Sequence, residues 1–251
     1  MIGTAEYDYT VGAGESDAAQ ICKISAFLNF FQDAADRHAQ IMGFHRDILM
    51  ERYGYFWLLV RARLALKTPA RYQDVLTVRT NPRPVKGAMV YRDFDLFVGG
   101  EHIGEAVTGW ALASFEKRAI IRPATVPELL NAEYLPADQL KDSRLTKLSV
   151  EQDMPLLEHA RVRYSDLDMN GHLNNIKYAD MVCNAADMGN RTEKFVSTFQ
   201  IDYIKECRLG EELALYGDLR ENGGMVLGVD HEGNKRFASE LVFTDLLSRG
   251  G

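Results

Sequence analysis

Cysteine is scarce: only Cys22, Cys183 and Cys207 occur in 251 residues, odd in number and far apart. That excludes a disulfide framework and fits reduced thiols in a cytoplasmic setting. The six histidines form no HExxH pair and no Cys/His cluster, so no metal site is expected. A Walker sequence, a GxGxxG opening a helix and a GxSxG elbow are also missing. Their absence leaves no sign of a bound cofactor or of an α/β-hydrolase nucleophile. Long apolar runs are lacking; the strongest, Tyr55-Phe56-Trp57-Leu58-Leu59-Val60, is far too short to cross a membrane. The opening residues, MIGTAEYDYTVGAG, show neither the basic nor the apolar region of a signal peptide. Positive charge is in deficit: 29 Lys and Arg stand against 36 Asp and Glu, a net charge of −7. A general nucleic-acid binder is thereby excluded, and any anionic partner needs a local basic patch. What is present, 46% apolar and 26% charged residues, suits a soluble globular chain of one large or two small domains.

The order of elements is written twice. Asp17-Ala18-Ala19-Gln20-Ile21 sets against Asp168-Met169-Asn170-Gly171-His172, and Phe27 then falls on Tyr178. Allowing for a shorter loop, Leu66-Lys67-Thr68-Pro69 falls on Ile204-Lys205-Glu206-Cys207. Each half reads as a short strand, a helix and several long strands. In the first half these are Tyr7–Val11, a helix marked by Ile24, Phe27, Leu28, Phe31 and Ala35, and strands at Phe56–Leu66, Val75–Thr80, Ala88–Val98 and His102–Phe115. In the second they are Ala160–Tyr164, a helix marked by Leu173, Ile176, Ala179, Cys183 and Ala186, and strands at Ser197–Ile204, Glu212–Leu219, Met225–Asp230 and Arg236–Leu246. One helix followed by an antiparallel meander suggests a curved sheet wrapped around that helix. Pairing two copies would bury the sheet edge that each alone exposes. Pro123 to Pro155, with short helices at Pro127–Leu130 and Ala137–Leu140, reads as the connector, with the boundary near 140–155.

The densest chemistry lies between Arg163 and Tyr178, where carboxylates, carboxamides and a histidine precede a helix. His172 can move protons near neutral pH, and free N–H groups at the helix start can hold an oxyanion. A local hydrogen-bonding role for His172, and capping roles for Asp168, Asn174 and Asn175, are the plain alternatives. Glu206 and Cys207 follow a strand, where a charged strand end beside a half-buried thiol is the plain reading. The repeat sharpens the choice. Asp168 has a counterpart in Asp17, which favours a shared structural role, whereas Asn170, His172, Glu206 and Cys207 become Ala19, Ile21, Thr68 and Pro69. One site per chain, in the second half, is the expectation. Trp57 and Trp110 read as core residues of strands.

Ser165 through Tyr178 resembles the signature of acyl-ACP thioesterases, as do Val85-Lys86-Gly87 with Tyr91-Arg92-Asp93-Phe94, and Tyr203-Ile204-Lys205-Glu206-Cys207. The resemblance spans nearly the whole chain and is nearest the compact bacterial form. It implies an α+β tandem hotdog, with residues 1–140 as scaffold and acyl-chain pocket and residues 141–251 carrying the chemistry. It also implies Asp168, Asn170, His172 and Glu206 as catalytic residues, with Cys207 as an alternative nucleophile. In that reading Glu206 activates water, Asn170 positions the water or carbonyl, His172 supports charge and protonates the thiolate, and Asp168 orients the pair. Backbone N–H groups around Gly171–Leu173 polarise the carbonyl. The implied function is hydrolysis of acyl-ACP in fatty-acid synthesis, with acyl carrier protein as partner, no nucleic acid, no membrane, and a monomer or weak homodimer. An acyl-CoA thioesterase and a non-catalytic acyl- or carrier-binding hotdog protein are the competing readings. Phe27, Phe31, Trp57 and Leu59 are expected to line the acyl tunnel, and Arg79, Arg83, Lys86 and Arg92 to meet the acidic carrier.

Overall fold

The computed structural model describes residues 3–139, 145–150 and 153–246. The expected domain boundary at 140/141, part of its 140–155 range and the end of the Ala137–Leu140 helix lie outside the described residues. In the first half the chain forms β1 (Ala5–Thr10), α1 (Ile24–Ile41), α2 (Arg46–Tyr53), β2 (Tyr55–Leu66), β3 (Val75–Pro82), β4 (Met89–Val98), β5 (Glu101–Ser114) and the short β6 (Ala119–Ile121). A one-turn helix, α3 (Pro127–Asn131), lies in the connector. The second half forms β7 (Leu156–Arg161), α4 (Asn175–Ala185), β8 (Lys194–Tyr203), β9 (Glu212–Arg220), β10 (Gly223–Val229) and β11 (Lys235–Asp245).

All strands among the described residues belong to one antiparallel sheet in the order β1-β3-β4-β5-β2-β8-β11-β10-β9-β7, with β6 on β5. Read outward from the β2–β8 junction, both halves repeat one order, so the duplication seen in the sequence is a duplication of topology. The junction is a register from Arg61↔Asp202 to Ala65↔Thr198, and it closes an edge that each half would otherwise expose. Bulges bend the long strands, between Leu59 and Arg61 in β2 and at Ser197 of β8, opposite Val242/Phe243. α1 and α4 pack against each other, and one core runs through both halves. Phe31 stacks on Phe94 at 4.7 Å, and the Tyr178 ring meets Phe237 edge-on at 5.4 Å. This is the tandem hotdog that the resemblance implied. No helix among the described residues is long and apolar enough to cross a membrane.

Several expectations need correction. The short second-half strand ends at Arg161 because the Asp166 carboxylate accepts the Arg163 N–H and turns residues 164–166 into a 3₁₀ turn. α2 was not expected: its only buried side chain is Leu49, so no apolar period marks it. Its one legible sign is Gly54, the left-handed residue that ends it at φ 66°. The register of the repeat is also off by one. Lys67 and Thr68 both donate to Ile103 O, as Ile204 and Lys205 both donate to Arg236 O. Cys22 N donates to Ala70 O as Leu173 N donates to Cys207 O. Glu206 and Cys207 therefore correspond to Pro69 and Ala70; sparse identities could not place a gap that hydrogen bonding places.

At the junction Arg61 Nε donates to Asp202 Oδ1 at 2.6 Å, with side-chain exposures of 12% and 4%. Arg61 Nη1 also donates to Leu145 O, and Asp202 Oδ2 accepts the Leu148 N–H, so the pair pins the connector across the seam. Removing one partner of such a buried pair strands the other charge. Arg61→Ala should therefore cost about 3–5 kcal/mol in denaturant-induced unfolding; a loss within experimental error would show that the seam does not depend on it.

Candidate active site

The loop before α4 is built by Asp168. Its Oδ1 accepts the N–H groups of Asn170 at 2.8 Å and His172 at 3.1 Å, and its Oδ2 accepts the Asn170 carboxamide at 3.1 Å. Gly171 N donates to Asp168 O, and Gly171 takes φ 76° to close the turn. Asp17 does the same for Ala19 and Ile21, with Gln20 at φ 61°. The shared carboxylate thus builds the loop in both halves, and Gln20 shows that the left-handed position tolerates a side chain. Asn174 caps α4 by accepting the Ile176 N–H.

His172 is half-buried, and its Nδ1 lies 3.3 Å from Glu206 Oε2. The other Glu206 oxygen accepts a bond from Arg208 Nη2 at 3.1 Å. The Glu206 main chain is held by Arg236, whose Nη1 donates to Glu206 O while its other nitrogens engage Asp230 and Glu211. A strand-end carboxylate and the loop histidine are therefore brought together. Among the described residues no hydrogen bond joins the Cys207 thiol to either side chain. Cys207 is fully buried, its Sγ faces Lys205 O at 4.0 Å, and burial pushes its thiol above the ordinary value, the Tyr178 hydroxyl opposing.

The expected oxyanion donors are occupied. Gly171 N binds Asp168 O, His172 N binds Asp168 Oδ1 and Leu173 N binds Cys207 O at 2.8 Å. Loop construction consumes the N–H groups that the sequence suggested were free.

A residue that sequence reasoning missed comes from the other half. Arg46, first in α2, donates from Nη2 to Asn170 Oδ1 at 2.8 Å and from Nη1 to Met169 Sδ at 3.2 Å. With Asp168 accepting from the carboxamide nitrogen, the orientation of Asn170 is defined at both ends. Nothing local marks Arg46, because its partner lies 124 residues away.

Arg46 and Met169 also line a cavity of about 450 Å³ in the first half. Phe44, Trp57, Val90 and Trp110 form much of its apolar wall, and Arg92 and Pro82 lie toward β3. Trp57 and Trp110 are thus cavity walls as well as strand residues. Phe27 and Phe31 are packed core instead, 0% and 1% exposed, and Leu59 is likewise buried in packing. Arg92 is buried too, donating to His38 Nδ1 at 3.0 Å and Thr80 Oγ1 at 3.2 Å, and desolvation lowers its pKa to about 10. A larger cleft, about 750 Å³, adjoins the first-half loop, where Ala19 and Ile21 replace Asn170 and His172.

Models of the acyl-ACP thioesterase N-terminal domain and C-terminal domain match residues 4–134 and 149–240. The chain belongs to the acyl-ACP thioesterase family. This acyl-ACP thioesterase family member is 20% identical to the chloroplastic acyl-[acyl-carrier-protein] hydrolase FATB1 of Cuphea viscosissima, over 88% of this chain and 56% of that one. It is 26% identical to the chloroplastic dodecanoyl-[acyl-carrier-protein] hydrolase of Cinnamomum camphora, over 82% and 55%. The chain therefore spans about half the length of these plant relatives. The fold matches an acyl-ACP thioesterase crystal structure from Bacteroides thetaiotaomicron with a TM-score of 0.85 at 21% identity, covering 96% of this chain and 98% of that one. It also matches the 12:0-ACP thioesterase of Umbellularia californica with a TM-score of 0.79 at 20% identity, covering 97% and 98%.

If Asp17 and Asp168 build equivalent loops, Asp17→Ala and Asp168→Ala should each cost about 1 kcal/mol of stability. Thermal unfolding of the two variants checks this; a loss confined to one would break the equivalence.

Proposed function

We propose that the chain hydrolyses fatty acyl-ACP to free fatty acid and holo-ACP, with the acyl chain lying in the first-half cavity. The observation that carries the reading is His172 Nδ1 at 3.3 Å from Glu206 Oε2, beside an Asn170 that touches the cavity-lining Arg46. Both Glu206 oxygens are engaged, one by Arg208 and one by His172. A carboxylate at this ion-pair distance from Nδ1 favours a proton there, which leaves Nε2 as the base. Sequence reasoning assigned the base to Glu206; the geometry supports His172 better.

In the proposed reaction Nε2 takes a proton from water as the water oxygen bonds the thioester carbon. The carbonyl π pair moves onto oxygen, where the second Asn170 amide hydrogen and the Arg46 charge stabilise it. Collapse re-forms the carbonyl and breaks the C–S bond, and the departing thiolate takes the proton from Nε2. Asp168 orients Asn170. Cys207, buried and with a raised pKa, is poorly suited to attack.

A panel of acyl-ACP and acyl-CoA thioesters of several chain lengths tests the function; absence of turnover on all of them defeats it. Loss of kcat should be greatest for His172→Ala, about a thousandfold, smaller for Glu206→Gln and Arg46→Met, about ten- to a hundredfold, and slight for Cys207→Ala. A larger loss for Glu206→Gln than for His172→Ala would return the base to Glu206.

The chain end would meet Arg92 and Pro82, on strands two to three positions from β2, about 10–15 Å across the sheet. A desolvated cation there is a poor neighbour for further methylenes. Widening the wall with Trp57→Ala should raise the ratio of long- to short-chain turnover about tenfold, measured as kcat/KM across chain lengths.

A further inference from the structure

The cations expected to meet the carrier are unsuited to it. Arg92 is buried, Arg83 is bound bidentately by Asp93, and Arg79 is paired with Glu6 at 2.6 Å. A different surface surrounds the candidate site. Two segments, 162–173 and 204–211, are stitched together by Gly210 N to Val162 O, Leu173 N to Cys207 O and a bridge between His172 and Arg208. They hold an unusual concentration of exposed apolar side chains: Tyr164 at 86%, Met169 at 84%, Leu209 at 60% and Ile204 at 45%. Monomer surfaces seldom gather large apolar groups without a partner. Arg163, Lys205 and Arg208 stand exposed among them.

The carboxylates of the same segments are turned to internal work. Asp166 accepts its own turn's N–H, Asp168 builds the loop, Glu206 faces His172, and Glu211 holds Arg236. On a chain of net charge −7, these two segments therefore offer Arg163, Lys205 and the apolar groups outward, whereas the facing first-half rim exposes Asp33, Asp36 and Asp47. We propose that the second-half rim docks the acidic acyl carrier, with Arg163 and Lys205 meeting its carboxylates and Tyr164 and Leu209 its apolar side chains. The inference rests on the thioesterase reading for the partner's identity, but the surface is argued from its own exposure and charge. A coenzyme A thioester presents no protein surface and would leave Tyr164 and Leu209 unused.

The test compares kcat/KM for one acyl group on holo-carrier and on N-acetylcysteamine, a thioester with no protein attached. Their ratio should fall as salt rises, and by about tenfold or more in Arg163→Glu/Lys205→Glu. Leu209→Asp should lower it as well, while Lys86→Glu, on the surface first suggested by sequence, should leave it in place. A ratio insensitive to salt and to the double charge reversal, or one that falls only in Lys86→Glu, overturns the proposal. Thermal melting establishes that each variant folds; if the double variant does not, Lys205→Ala and the wild-type salt series decide. Should the wild type cleave neither thioester, the thioesterase reading falls, and calorimetric binding of holo-carrier decides docking alone. Binding that the double variant loses supports the surface, and binding that it keeps overturns it.

Discussion

The pairing of β2 with β8 is the constraint on which the rest of the molecule depends. It joins two copies of one topology into a single sheet and lays α1 beside α4. It carries a buried ion pair, Arg61 with Asp202, whose remaining hydrogen bonds reach Leu145 and Leu148 of the connector. Hydrogen-bonded seams between strands permit few registers, and a buried charge pair at the end of this one penalises slippage. The consequence at the candidate site is direct. α2 belongs to the first half and the Asp168 loop to the second, and Arg46 meets Asn170 only if the seam holds its register.

Duplication separates what a residue does for the fold from what it offers for chemistry. Asp17 and Asp168 make matching bonds to the N–H groups two and four residues on, and both loops pass through a left-handed residue. The first copy keeps that geometry with Ala19 and Ile21 at the tips, and with Pro69 and Ala70 where the second has Glu206 and Cys207. Loop shape therefore survives the replacement of Asn170, His172 and Glu206 by apolar residues so long as the aspartate stays. Position within the loop also decides which groups are available: the N–H donors of Gly171 to Leu173 are spent on structure, so charge stabilisation falls to side chains.

Much of this was legible in the residues alone. The strands, the two central helices and the duplication followed from apolar period and turn residues, because those patterns reflect burial against a sheet. The Asp168–His172 loop stood out because its polar density exceeds what one helix cap uses. α2 did not, since only Leu49 is buried and a polar one-sided helix leaves no period. The cavity wall was half legible: Trp57 lines it, whereas the equally aromatic Phe27 and Phe31 are packed solid.

By itself the sequence determined the fold class, the family resemblance and the loop that carries His172, since these rest on local pattern and short spacing. Tertiary structure alone decided the one-residue register that sets Glu206 opposite His172 and the arrival of Arg46 from the other half. It also decided which arginines face solvent and which are buried or paired. These are outcomes of long-range hydrogen bonding and charge burial, set by groups tens of residues or more apart, and no local pattern encodes them.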